Sequence, residues 1–350
     1  VNLLAHLQSV ATASPPFVFK QSDVARVATT MFSDRYADFD RLSRVFETSG
    51  IVTRHAVRPM EWYAQPLGWP ERTAAFIEGG EALFIEAATK ALAAANLSAA
   101  DVDTVVTVTS TGVATPSLEA RVAARMGFRS DIGRVPVFGL GCAGGVSGVS
   151  IAARLAVARP GTNVLLVVVE LCTLSFRLDE LTKANIVATA LFGDGAAACV
   201  LRAGDGGLAA IEAAGEHTWP DTLDIMGWSV DPQGFGVIFA QAIPPFAREN
   251  VGPAVKSILA RSGHRMSDVD RFVCHPGGRK VVSALEGALE LTPGSLDHER
   301  TVLASHGNMS APTVLFVLDR VIRAGLPDCS VLNAMGPGFT SSCAVLRKTV

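Results

Sequence analysis

The chain alternates short β-branched runs with helices built from small residues, and this alternation constrains its fold more than any other feature. Val102–Thr109 and Val164–Glu170 read as strands, the second almost wholly apolar, so both faces of its sheet have to be covered. Around them the spacing predicts helices over Pro70–Ala95, Pro116–Met126 and Val146–Ala158, and strands over Arg134–Leu140 and Gly195–Leu201. The same rhythm returns later, with helices over Pro253–Ser262, Val281–Leu291 and Asn308–Arg323 and strands over Arg271–Cys274, Ser330–Leu332 and Ala344–Leu346. Such alternation makes an α/β protein with a mainly buried sheet. The residues before about position 50 read as a helical arm, on the pattern that starts at Ser22-Asp23-Val24.

Each half carries a strand, a glycine-containing turn and a buried helix, which suggests an internal duplication with halves 1–205 and 206–350 and a junction near Ala203–Gly207. No low-complexity linker separates them, so they are expected to pack as one body.

Composition removes several function classes. With 49% hydrophobic and 18% charged residues in 350, the chain can bury a large core and is not a disordered one. Thirty basic against thirty-three acidic residues give a net charge of −3, with no Lys/Arg stripe and only 7% aromatics, so no nucleic-acid partner is expected. The Val164–Val169 run is far shorter than the about 20 residues that span a bilayer, and the start lacks a basic segment followed by a long apolar one. A cytoplasmic protein is expected. Six cysteines without a C-x-x-C pair argue against zinc and against a disulfide framework, leaving free thiols.

Cys142 is the sharpest chemical signal. It sits in Gly141-Cys142-Ala143-Gly144-Gly145, between a β-rich run and a small-residue helix. A nucleophile on such an elbow needs small neighbours for close substrate approach, and a helix N-terminus favours thiolate. A buried cysteine in a packing turn fits the same residues. His275, in Cys274-His275-Pro276-Gly277-Gly278, follows a short apolar strand and lies where strand ends of α/β folds converge. Asn308, in Gly307-Asn308-Met309-Ser310, has the amide that an oxyanion site uses, although an asparagine ahead of a helix also serves as a cap. His306 has neither context and reads as structural.

Together these three segments resemble the Cys-His-Asn condensing enzymes of the thiolase superfamily, and more narrowly the type III polyketide synthases, the chalcone and stilbene synthase family. Leu191-Phe192-Gly193-Asp194-Gly195 is similar to that family's gatekeeper-phenylalanine motif, and Met335-Gly336-Pro337-Gly338-Phe339 to its C-terminal G-F-G-P-G loop, with methionine in place of the phenylalanine. The match is specific from Val105 onward and looser before it. A rival, ketoacyl carrier-protein synthase III, shows H-Q-A-N and G-G-G where this chain has H-P-G-G and G-P-G. A noncatalytic subunit of the same fold would be expected to have lost a catalytic residue, and none is lost.

The resemblance implies a doubled five-layer αβαβα sandwich, a homodimer, and catalysis by Cys142, His275 and Asn308 on an acyl-CoA starter and malonyl-CoA, without metal or redox cofactor. It implies that Phe192 gates the junction of CoA tunnel and cavity, that Cys172, Ser175, Ser310 and Thr115 line the cavity, and that Gly336, Pro337 and Gly338 form a loop beside it. Arg41 and Arg44 align with basic residues that grip CoA phosphates, with Thr48 where a third is usual; exposed arginines on a helix also make an ordinary solvated face. Cys172 in place of a plant threonine is similar to bacterial alkylpyrone and alkylresorcinol synthases, and a second gatekeeper phenylalanine is missing near Val237 or Ile238. An alkyl starter is therefore expected, unless the Trp228 indole points into the cavity and blocks its path.

Overall fold

The computed structural model describes residues 3–204 and 206–349. Asp205, where the sequence ends its first half, lies outside them, as do Val1, Asn2 and Val350.

Nine strands form one hydrogen-bonded sheet in the order Arg271–Cys274, Cys329–Gly336, Thr340–Lys348, Ala209–Thr218, Ala5–Ala13, Asp194–Ala203, Asn163–Leu171, Thr104–Thr109, Gly133–Phe138. Among the described residues its two parts are joined in the sheet by Ala5–Leu7 pairing with Ala209–Ile211. The helices Gly144–Ala158 and Thr313–Gly325 contact strands of both parts, so they form a middle layer. Trp69–Ala94 and Leu118–Met126 cover the outer face of the first part, and Ile243–Arg261 with Arg279–Ala288 that of the second. The result is the thiolase fold's α-β-α-β-α stack. Gly144–Ala158 belongs to the one helical stretch among the described residues apolar and long enough to cross a membrane, Gly141–Ala158, but its small side chains pack inside the protein.

The strand read as Val164–Glu170 runs Asn163–Leu171 and is buried along almost its whole length, as a strand sandwiched between helix layers must be. The N-terminal reading needs correction. Ala5–Ala13 is a strand at the centre of the sheet, and a helix starts only at Gln21. The sequence AHLQSVATA has low intrinsic strand preference, and its pairing with strands on both sides overrides that preference. Ala209–Thr218, also alanine-rich, was hidden for the same reason. The helix expected from Asn308 starts at Thr313, because Ser310 adopts a left-handed backbone (φ 58°) that no helix continues through. Pro253 lies inside a helix that extends back to Ile243 rather than opening one.

Candidate active site

The segments that carry Cys142 and His275 follow the two edge strands of the sheet and are connected through Asn308–Ala311, which bonds to Gly277 and packs on Gly145. Gly141–Ala143 makes a single tight turn that delivers Cys142 to the start of the Gly144–Ala158 helix. Here two glycines are required. Gly141 has φ +49°, and a Cβ on it would lie 2.5 Å from the Pro337 ring. A Cβ on Gly145 would collide with the Ala311 carbonyl oxygen and lie 2.8 Å from Val314. The glycines therefore let the loop of Gly336, Pro337 and Gly338, and the segment Asn308–Ala311, close onto the cysteine turn. Gly336 ends its strand opposite Thr340, and Gly338 turns the chain at φ +106°.

His275 follows the strand Arg271–Cys274 and extends its ladder by one bond, its N–H donating to the Asn333 carbonyl at 2.8 Å. The imidazole is 3% exposed, and neither ring nitrogen has a protein partner. Buried nitrogens left open in this way are available to a substrate or a neighbouring thiol. Asn308 is not a helix cap. Its N–H donates to Leu191 O at 2.8 Å, and Gly193 N–H donates to its carbonyl at 3.0 Å, which locks it beside Phe192. Its Nδ2 donates to Gly277 O at 3.1 Å and its Oδ1 accepts from Ser310 N at 2.8 Å. An amide NH2 has two donors, so one remains.

Cys142, Cys172, Phe192, Ser310 and Pro337 line one chamber of about 40 Å³, together with Ser110, Met226–Trp228 and Val237–Phe239. Burial pushes the Cys142 thiol up to about 12, with the hydrogen bond from Ser310 pulling it back down. Burial also pushes the His275 imidazole down to about 3. Behind the chamber Glu170 is held by Ser110 N–H and Oγ–H and by the Thr111 hydroxyl, and burial raises its carboxyl to about 7. The Trp228 indole N–H donates to Ser110 O at 2.8 Å, and its ring meets Phe192 edge-on and stacks on Phe235. Val237, Ile238 and this indole all line the chamber, and so does Phe239, so a phenylalanine stands directly beside the positions where the resemblance leaves one missing.

Two spaces adjoin the chamber. One, about 60 Å³ and almost wholly apolar, lies under the helix Gln21–Phe32 and shares Cys172 and Phe192 with it. Ser175 faces that space rather than the chamber, its hydroxyl donating to Cys172 O at 2.8 Å. The other is a cleft of about 650 Å³ that shares Phe239 with the chamber and carries Arg41 and Arg44 on one wall. Lys183, Arg279 and Lys280 line it as well, and in the sequence only Arg279-Lys280, directly after H-P-G-G, offers a signal for them. Thr48 lines this cleft as well. Phe192 borders the chamber and the apolar space, while Phe239 and Leu191 border the cleft. Thr115 stands apart, exposed on the loop before Leu118–Met126. His306 stacks on His55 at 5.2 Å, outside the chamber lining.

A thiolase-type sandwich with a buried cysteine at a helix start, an open imidazole and an oriented amide defines an acyltransferase of the condensing class. The N-terminal domain of the chalcone and stilbene synthases matches residues 2–205 and their C-terminal domain residues 210–350, so the chain belongs to that family, as a type III polyketide synthase of the bacterial kind. It is 42% identical over 347 residues to a 1,3,6,8-tetrahydroxynaphthalene synthase of Streptomyces peucetius subsp. caesius, covering 97% of this chain and 92% of that one. It is 28% identical to an alpha-pyrone synthesis polyketide synthase-like protein of Mycobacterium tuberculosis, covering 96% and 89%. The crystal structure of the tetrahydroxynaphthalene synthase of Streptomyces coelicolor superposes with a TM-score of 0.93 at 28% identity, covering 99% of both chains.

Proposed function

We propose that this synthase builds an aromatic polyketide from malonyl-CoA alone, with malonyl serving as starter and extender. The observation that carries this reading is the Trp228 indole, held by Ser110 O and packed against Phe192 and Phe235, where its ring takes up room in the Cys142 chamber. The relative at 42% identity, a 1,3,6,8-tetrahydroxynaphthalene synthase, supports it.

In this reading coenzyme A lies in the basic cleft and its thioester passes Phe239 to Cys142. A lone thiolate and a lone imidazolium are both costly in this dry chamber; moving the thiol proton to His275 makes the two charges together, so that each offsets the other's desolvation. The sulfur attacks the starter carbonyl and CoA leaves as its thiol, taking the proton. As the next malonyl group loses carbon dioxide, the free N–H of Asn308 and a ring nitrogen of His275 donate to the enolate oxygen. The enolate carbon then attacks the Cys142 thioester; the new C–C bond forms as the C–S bond breaks.

A second reading is favoured by the apolar space beyond Cys172, which suits an alkyl starter ending in an alkylpyrone or alkylresorcinol. Malonyl-CoA offered alone and with acyl-CoAs of increasing length, with products identified by mass spectrometry, separates the two. A tetra- or pentaketide-derived aromatic from malonyl-CoA alone is expected. Turnover only with long acyl-CoAs would replace it with the second reading, and an acyl adduct persisting on Cys142→Ala would overturn both.

A homodimer is part of the proposal. The edge strand Gly133–Phe138 leaves Phe138 55% exposed and the nearby loop leaves Val113 53% exposed, beside Thr115. A partner covering this edge would bury them, and a doubled mass in light scattering tests it.

A further inference from the structure

Six of the residues that line the Cys142 chamber, Met226, Gly227, Trp228, Val237, Ile238 and Phe239, come from one hairpin, in which Met226–Asp231 pairs with Gly234–Phe239. This hairpin is a two-stranded sheet of its own, with no ladder to the nine-stranded one. A lone hairpin is marginally stable by itself, so its place depends on side-chain ties to the body of the protein. The chamber holds only about 40 Å³, and any displacement of this wall alters the room left for a growing chain.

Two of the ties are indole N–H bonds, Trp228 to Ser110 O at 2.8 Å and Trp69 to Asp231 O at 2.9 Å. A third is charged. Asp231, the one charged residue in Met226–Phe239, sits at the hairpin turn, where its Oδ1 accepts from Gln233 N at 2.8 Å and Gly234 N at 3.1 Å. Arg177 Nη1 donates to both oxygens of this carboxylate, at 3.0 and 3.1 Å, while Arg177 Nε donates to Asp179 Oδ1 at 2.7 Å. The Arg177 side chain is 4% exposed, whereas those of Asp231 and Asp179 are 41% and 52% exposed. Arg177 lines none of the chamber, the apolar space and the basic cleft. It closely follows the turn Cys172–Ser175, which gives Cys172 to the chamber and Ser175 to the apolar space, and Asn185 Nδ2 donates to its carbonyl at 2.7 Å. One buried side chain thus joins the hairpin to another segment of the same chamber.

We propose that Arg177 is a positioning residue that sets product size: its bond to Asp231 fixes how far the Trp228 hairpin stands from Cys172, and with it how many malonyl units the chamber takes before the chain cyclises. This rests on the chain working as a polyketide synthase, and not on which starter it uses. Losing the guanidinium leaves two carboxylates that water already reaches, so the fold survives while the hairpin is released. The bonds that hold His275 and Asn308 involve neither Arg177 nor Asp231, so decarboxylation is spared.

Arg177→Met removes the charge and keeps an apolar stem, and Asp231→Asn weakens the tie from the other side while leaving an oxygen for the turn N–H groups. Hydrogen exchange read by mass spectrometry should show the hairpin amides of both variants exchanging about ten-fold faster than in the wild type, the shift expected on losing a hydrogen bond to a charged group. Unchanged exchange in the central sheet should show that both variants fold. With malonyl-CoA, alone and with a medium-chain acyl-CoA added, carbon dioxide release should be retained while the ratio of the wild type's main product to shorter and longer polyketides falls. Wild-type exchange in both variants would overturn the tie. Faster exchange with an unchanged product ratio, or products and carbon dioxide release lost in step, would overturn the control of product size. Faster hairpin exchange in a protein that releases no carbon dioxide from malonyl-CoA at all would sustain the tie and sink the synthase reading.

Discussion

Asn308 Nδ2 donates to the carbonyl of Gly277 at 3.1 Å, and this one bond ties the segment that carries the amide to the loop two residues beyond His275. The amide and the imidazole are therefore positioned as a unit, although thirty-one residues separate the bonded pair. Replacing Asn308 removes an oxyanion donor and the tie together.

Asn308→Ala should lower malonyl-CoA decarboxylation by about 10²–10³, the usual cost of one oxyanion donor. Starter loading on Cys142, followed by intact-protein mass spectrometry, should persist. Near-normal release of carbon dioxide would return Asn308 to a purely structural role.

Gly145→Ala adds a Cβ where the Ala311 carbonyl already sits. The overpacking should cost about 1–3 kcal/mol of stability, read from urea denaturation. Because the atom displaced belongs to the Asn308–Ala311 segment, activity at low temperature should fall well beyond the loss of folded protein. A stable and fully active variant would contradict the close approach.

On the proposed proton transfer, His275→Gln removes the acceptor for Cys142 and leaves a thiol that burial raises and the Ser310 hydrogen bond lowers. Iodoacetamide alkylation of the variant should inflect at higher pH than that of the wild type and be slower at pH 7. Coincident pH profiles would show that His275 does not act on the sulfur.

The Glu170 carboxyl lies above its ordinary value of 4.5, at about 7, chiefly through burial. A raised acid stabilises the fold below its unfolded value, and that contribution is lost as pH rises through about 7. Relative to Glu170→Gln, the wild type should thus lose stability on the order of 3 kcal/mol between pH 4.5 and pH 7. Urea midpoints at the two pH values measure it; a constant difference between the proteins would refute it.

Trp228→Ala should admit longer acyl-CoA starters by removing the indole from the chamber wall, whereas Cys172→Phe should exclude them by filling the boundary with the apolar space. Competition between malonyl-CoA and a ten-carbon acyl-CoA reads both shifts. An unchanged product profile in both variants would mean that neither residue sets starter length.

The sequence by itself determined the α/β class, the cysteine elbow and the His275 strand end, because glycines at a turn and unbroken apolar runs answer to local geometry. It also pointed to Asn308, as either cap or donor. Tertiary structure alone removed the cap, through the left-handed Ser310, and oriented the amide, through the Gly277 carbonyl far away in sequence. It decided the strand Ala5–Ala13 too: AHLQSVATA has no strong strand preference, and only the partners on either side fix it. Lys183 and Arg279-Lys280 are ordinary surface charges in sequence, and become one cluster only where separate helices bring them around a single cleft. Trp228 follows the same logic, its direction set by Ser110 and Phe235. Local signals act over a few residues, whereas a chamber wall is assembled from segments more than a hundred residues apart, so its shape is a property of packing alone.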